Sequence, residues 1–175
     1  GASLLHRYVM HELYCLETSC RDAYTRFDFA SVTRSLIEFA TKTLSTLYYD
    51  SVKDTLYAGP SEDQPPILAA MNEILHTITC VLAPILPHLA EDLHWYRHGA
   101  TCDPTPEEVH SMPSFFQQGW HNVSDVWYDP PLEHRMQEIL RIRSEPFALA
   151  TRCKDKDRLI QGPAAPAVAV YVPQP

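Results

Sequence analysis

The sequence predicts a mainly α protein. A helical bundle over residues 1–98 is followed by a proline-containing linker (99–131) and a small C-terminal α/β appendage (132–175). Three observations carry that prediction. Apolar residues recur at alternating three- and four-residue steps through the N-terminal half, the period of helices buried along one face. Glycine is scarce, five in 175 residues, while the fifteen prolines fall mainly at the joints between the periodic runs, where helix punctuation belongs. Two-residue alternation is confined to one short run near the end, Ala167–Val172.

The first helix is expected from Leu4 to Phe27, with Leu5, Val9, Leu13, Leu16, Cys20, Ala23 and Phe27 forming one seam. Arg7, Glu12, Glu17, Arg21 and Arg26 lie off that seam. Asp28 suits an N-cap, since its carboxylate accepts a backbone N–H from the following turn. A second helix then runs from Phe29 to Tyr57, roughly 40 Å at 1.5 Å per residue. Its inner face is Phe29, Val32, Leu36, Phe39, Ala40, Leu44, Leu47, Val52 and Leu56. Gly59-Pro60 ends it, with Gly59 suited to a left-handed C′ position.

Ser61–Pro66 is a polar turn, and Pro66 fits the first turn of a third helix. Ile67, Met71, Ile74, Leu75, Ile78, Val81, Leu82 and Ile85 give that helix its apolar face. Pro84 and Pro87 interrupt it, because each lacks an N–H, and a fourth helix fits His88 to Tyr96. Four antiparallel helices with short connections make a bundle. Gly99–Ser114 is a linker, Ser114–Gln117 a short strand, and Trp120 and Trp127 belong to an irregular stretch closed by Pro130-Pro131. Leu132 to Thr151 returns to helical spacing with a bend at Pro146, and Ala167–Val172 reads as a β-strand.

The chemistry of an active site is missing. The chain has no G-x-S-x-G, no G-x-x-x-x-G-K-[ST] and no G-x-G-x-x-G, so no nucleophile elbow or phosphate-cradling loop is expected and no catalytic residue is assigned. The five cysteines, Cys15, Cys20, Cys80, Cys102 and Cys153, form no C-x-x-C pair, which fits small buried thiols in a reducing compartment. His94 and His98 stand one helical turn apart, but no Glu follows His94. They read as surface histidines at a helix end, and no metal site is assigned. No run reaches the roughly 18–20 apolar residues of a membrane span. The first residues show neither a secretory pattern nor an Arg-rich presequence and lead straight into a helix, as expected of a segment of a longer chain.

The net charge of −8 disfavours a freestanding nucleic-acid binder, because phosphate neutralisation supplies most of such affinity. It leaves room for a local basic stripe. Arg34 and Lys42 are eight residues apart on the second helix, within about 80° of each other at 3.6 residues per turn. Lys53, eleven further on, returns to nearly the same side. Tyr48 and Tyr49 diverge by about 100°, so one faces the core and the other is available to stack on a base. Lys53 also has Tyr49 and Tyr57 at i±4, a spacing for cation–aromatic contact. A second basic cluster, with Arg141, Arg143, Arg152, Lys154, Lys156 and Arg158, lies near the C-terminus.

Several segments, in order, resemble the isoleucine-specific class Ia aminoacyl-tRNA synthetases of the bacterial and mitochondrial type. Leu44 to Tyr57 is similar to the family's L-S-x-x-Y-x-D-x-x-K-D-x-L-Y, and Leu82 to Trp95 to L-A-P-I-x-P-F-x-A-E-E-x-W. Tyr24-x-x-Phe27-Asp28-Phe29, Ser114-Phe115-Phe116-Gln117 and Arg158–Gly162 resemble further family segments. The L-A-P-I-x-P motif is shared with the valine, leucine and methionine enzymes. Thr55, His88 and Gly162–Pro166 depart from the family pattern.

The resemblance implies the anticodon-binding helical bundle of an isoleucine–tRNA ligase, with tRNA(Ile) and other domains of the same chain as partners and neither DNA nor membrane. Arg34, Lys42, Tyr49, Lys53, Arg141, Arg152 and Lys154 are the tRNA-binding candidates. No H-I-G-H or K-M-S-K-S motif occurs. ATP with Mg would therefore belong to a catalytic domain, and zinc to a C-terminal module, neither of them in this chain. The mitochondrial matrix is the expected location, with a bacterial cytoplasm as the alternative. The rival readings are a helical protein-interaction module and the same domain of a valine- or leucine-specific synthetase.

Overall fold

In the computed structural model, residues 3–99 and 105–152 are described, and all their regular structure is helical. The helices are α1 (Leu4–Thr25), α2 (Phe29–Glu38), α3 (Asp50–Ala58), α4 (Gln64–Leu82), α5 (Pro87–Arg97), α6 (Pro106–Ser111) and α7 (Pro130–Arg152). A π-helical segment, Phe39–Tyr49, joins α2 to α3, and single 3₁₀ turns lie at Ser61–Asp63, Phe115–Gln117 and Asp125–Trp127. Two compact units divide the chain, Gly1–Glu133 and His134–Pro175. The C-terminal strand expected at Ala167–Val172 lies outside the described residues.

Within the first unit α1 is the central element, packing against α2, the π segment, α4 and the Asp125–Trp127 turn. Its seam is buried as the spacing predicts: Val9, Leu13, Leu16, Cys20 and Ala23 meet Val32, Leu36, Phe39, Leu44 and Tyr48 of the long helix and Ala70, Ile74 and Val81 of α4. Burying aliphatic and aromatic side chains of this size contributes about 1.5–3 kcal/mol each, which is why one helix with such a seam organises its neighbours. Ser61–Leu82 is long and apolar enough, at a mean hydropathy of 1.2, to match a membrane span by composition. Its buried residues Ala70, Ile74, Thr77, Cys80 and Val81 are those of a bundle helix.

Local chemistry sets the helix ends. Ser3 accepts from the His6 N–H and Asp28 from the Ser31 N–H at 3.0 Å, the N-cap interaction expected at Asp28. Pro87 begins α5, and the Pro65-Pro66 pair sits in the first turn of α4.

Several expectations are corrected. Phe27 leaves the seam, because α1 stops at Thr25 and Phe27 points into solvent. Gly59 is not left-handed. At φ −79° and ψ 170° it is extended, and glycine is needed there because a Cβ would stand 2.7 Å from the Thr55 carbonyl oxygen. The long second helix is not α throughout, since its middle is π. There the Thr46 hydroxyl donates to the Thr41 carbonyl, five residues back. The stretch after Gly99 contains α6. Ser114–Gln117 is a 3₁₀ turn and not a strand: among the described residues no neighbouring strand takes its backbone groups, so the Ser114 hydroxyl accepts from the Phe116 N–H instead.

The segment from Ser114 to Asp129 straps the bundle from outside, one side-chain bond at a time. The Ser114 hydroxyl and the Phe115 N–H bind the Glu91 carboxylate of α5. The His121 N–H donates to Cys80 Sγ, and His121 Nε2 to Glu73 at 2.6 Å, both on α4. Trp120 Nε1 donates to Glu17 at 2.6 Å, and the Asp129 N–H to His11 Nδ1 at 3.0 Å, both on α1. Phe115 joins Cys80, Ala83 and Ala90 in a second small core. Glu17, which lies off the apolar seam, is 1% exposed because this strap covers it.

Candidate nucleic-acid interface

The outer side of the long helix carries Arg34 on α2, Lys42 and Tyr49 in the π segment and Lys53 on α3, all exposed. Tyr48 is the core ring, at 1% exposure, and Tyr49 the outward one, at 38%. Burial lowers the acidity of both phenols, so each keeps its proton. A neutral, half-exposed ring of this kind is suited to stacking on a base.

The cations are held by neighbours on their own helix. Lys42 Nζ donates to Glu38 at 2.5 Å and Lys53 Nζ to Asp50 at 2.6 Å. The Asp50 hydrogen bond and charge raise the Lys53 pKa, so it stays fully protonated. No aromatic ring engages the Lys53 ammonium among the described residues. Both pairs are largely in water, where ion pairs are screened and contribute little, so a phosphate replaces either carboxylate at small cost. Arg34 makes no salt bridge among the described residues, though its charge reaches Asp28.

The π segment alters the geometry that α-helical counting predicts. An i→i+5 turn rotates each residue by less than the ~100° of an α-helix. The lag accumulates over Phe39–Tyr49, so the alignment of Arg34, Lys42 and Lys53 that α-helical counting predicts does not carry across the segment. Of the second basic cluster, Arg141 is exposed on α7. Arg152 ends that helix, and Lys154 lies outside the described residues.

Two groupings have metal-ligand composition. His94 is buried, which corrects its reading as a surface histidine. Its ring lies 5.7 Å from Phe115 and 4.3 Å from His98, and Gln118 Nε2 donates to its Nδ1 at 3.1 Å. Burial and the neighbouring His98 lower its pKa. His11, Glu12 and Glu133 bring ligand atoms within 4.8 Å of one another. There the Asp129 N–H occupies His11 Nδ1, so the neutral ring holds its proton on Nε2, toward Glu133 at 3.4 Å. A protonated Nε2 offers a cation no lone pair. The thiols of Cys15 and Cys20 are pushed up to about 11 by burial, away from the thiolate form that reacts or ligates.

Sequence reasoning missed Phe27. It sits 79% exposed at the α1–α2 turn with φ 58°. The signal available was the closure of one helical run and the Asp28 cap of the next, which leaves Phe27 in the turn between them.

Comparison with known proteins fits this arrangement. The family model "Anticodon-binding domain of tRNA ligase" matches residues 6–160. The chain is 33% identical over 142 residues to the mitochondrial isoleucine–tRNA ligase of Mus musculus, covering 80% of this chain and 13% of that protein. It is 32% identical to the isoleucine–tRNA ligase of Agrobacterium fabrum, covering 80% and 14%. It is 25% identical to that of Prochlorococcus marinus, covering 98% and 17%. The chain thus spans about one seventh of the length of these relatives. An all-helical unit with no catalytic constellation among its described residues, matched over nearly its whole length, belongs to the family of anticodon-binding domains of tRNA ligases.

Proposed function

We propose that this chain is the tRNA-gripping region of an isoleucine–tRNA ligase, holding the anticodon stem-loop of tRNA(Ile) while a catalytic domain elsewhere in the protein joins isoleucine to the tRNA with ATP and Mg. The observation that carries the reading is the family match over residues 6–160, together with isoleucine-specific relatives from both mitochondria and bacteria. Residues 1–98 supply the bundle, 99–131 the strap and linker, and 132–175 an appendage with its own basic residues.

In this reading the domain makes no bonds. Its work is to fix the orientation of a long RNA so that the distant acceptor end reaches the reacting atoms. Arg34, Lys42 and Lys53 contact phosphates along the long helix, Tyr49 stacks or packs on the loop, and Arg141, Arg152 and Lys154 add backbone contacts. The net charge of −8 is supported by the same division of labour, with most of the affinity supplied by other domains of the same protein. A zinc-bearing module would be among those. The mitochondrial matrix is the proposed location; a bacterial cytoplasm fits the second group of relatives.

A salt-dependent titration with isoleucine tRNA and a non-cognate tRNA tests this. Weak binding that prefers isoleucine tRNA and falls steeply with salt is the expected result. Equal affinity for both tRNAs would remove the isoleucine assignment, and no binding at low salt would remove tRNA gripping by this region.

A further inference from the structure

Phe27 occupies a position where a helix ordinarily carries glycine. At the end of α1 the Asp28 N–H donates to the Ala23 carbonyl at 2.9 Å, and the Phe27 N–H to the Tyr24 carbonyl at 3.0 Å. These are the two bonds of a Schellman close, whose C′ residue takes the left-handed backbone that glycine adopts freely. Here that residue is Phe27, at φ 58°, the one non-glycine residue with positive φ among those described. A bulky side chain is strained there. The ring gains no burial in return, being 79% exposed. Strain of this kind tends to persist where a ligand makes use of it.

The surroundings point to the ligand. Arg26 lies beside Phe27 in sequence and Arg34 one helix further on. Arg26 is ion-paired with Asp22 one turn back on α1, in water where such a pair is weak. Arg34 is exposed on α2. After the Ser31 hydrogen bonds, the charges of both help hold the Asp28 carboxyl below its ordinary range. Phe29, also exposed, is braced edge-on against Tyr24 at 5.7 Å, and the Tyr24 hydroxyl is anchored to the Val81 carbonyl at 2.6 Å. The turn therefore presents one free ring, one braced ring and two arginines, with the Asp22 carboxylate engaged by Arg26 and the Asp28 carboxylate by the Ser31 N–H. A docking site for a protein partner would set Phe27 among apolar neighbours; its flanking residues are Arg26 and Asp28. An exposed ring at a turn, with an arginine at the close of one helix and another on the next, suits a nucleotide, with a base for the ring and phosphates for the cations.

We propose that Phe27 is a stacking platform for an unpaired base of the bound tRNA, with Arg26 and Arg34 on the phosphates to either side. The proposal rests on the tRNA-gripping reading above. It is tested on this chain with an isoleucine tRNA transcript, by measuring affinity, its salt slope and thermal stability together. Phe27→Gly should raise Tm by about 3 °C as the strain is released, weaken binding roughly tenfold and leave the salt slope unchanged, because stacking is uncharged. Phe27→Trp should bind within about twofold of wild type. Arg34→Gln should lower the slope by about one. If wild type binds and Phe27→Gly binds equally well, Phe27 is no platform. If Phe27→Gly loses stability along with affinity, the residue is structural and the proposal fails. If wild type does not bind at low salt, the tRNA-gripping reading itself fails, and the proposal with it.

Discussion

Glu17 and His76 show how single side chains hold the first unit together. Glu17 is buried on α1, and one of its carboxylate oxygens accepts from the Arg21 guanidinium and from Trp120 Nε1. Replacing Glu17 with Ala leaves the indole N–H without its acceptor and frees the strap at its midpoint. Urea unfolding should show a loss of about 2–3 kcal/mol, just under the range for opening a buried pair because Arg21 remains half in water. Glu17→Gln, which keeps an acceptor, should lose about half of that. His76 accepts from Arg97 at 3.0 Å and lies 4.5 Å from the His121 ring, which is itself bonded to Glu73. Burial first, then the charges of His121 and Arg97, lower its pKa from the ordinary 6.5. His94 and His6 are lowered in the same sense. The native state then binds fewer protons than the unfolded chain just below that value. Stability is complete above 6.5 and declines as pH falls beneath it. Glu12, whose pKa burial raises, acts in the opposite sense at lower pH. Thermal unfolding followed downward from neutral pH should show Tm falling once 6.5 is passed, and His76→Asn should make that fall shallower.

At the scale of elements, the helix joints differ in what they ask of the chain. The α1–α2 joint is closed by a left-handed residue, the α3–α4 joint by an extended glycine. Gly59→Ala would drive a Cβ against the Thr55 carbonyl oxygen and Cα, at 2.7 and 2.8 Å. Both are backbone atoms that cannot swing aside, so the cost should be about 1–3 kcal/mol in chemical denaturation. The segment from Phe39 to Tyr49 illustrates the limit of periodicity. Thr43, Leu44, Leu47 and Tyr48 are buried from it, a set that either an α or a π turn accommodates over so short a run. Sequence spacing therefore identified its inner face but not its winding. Ser114–Gln117 shows a second limit. A short aromatic run has strand propensity, but a strand requires a partner, and the described part of the chain offers helices only.

At the scale of the whole chain, a net charge of −8 is set against exposed cations at Arg34, Lys42 and Lys53 of the long helix and a second basic cluster near the C-terminus. Lys42→Glu combined with Lys53→Glu should leave the helical circular dichroism unchanged, because the ion pairs it removes are exposed and contribute little to folding. In tRNA binding it should lower affinity across all sequences and reduce the salt slope by about one for each phosphate that is no longer neutralised. An unchanged slope would place the phosphate contacts elsewhere. In an intact ligase the same pair should raise the KM for tRNA while ATP-dependent activation of isoleucine proceeds normally.

What the sequence determined by itself was the helical class, the seam of α1, most of the inner face of the long helix, the Asp28 cap and the family. Each of these rests on local spacing or on a motif contained within a few turns. Tertiary structure decided the rest. Glu17 and His94 are buried only because a strap from far along the chain folds back over them, bringing together residues a hundred positions apart in the case of Glu17 and Trp120. Tyr48 faces inward and Tyr49 outward because of the phase at which the π segment meets α1. Phe27 stands free because two helices end against each other at that residue, and the conformation of a turn is fixed by the elements it joins rather than by the residue that occupies it.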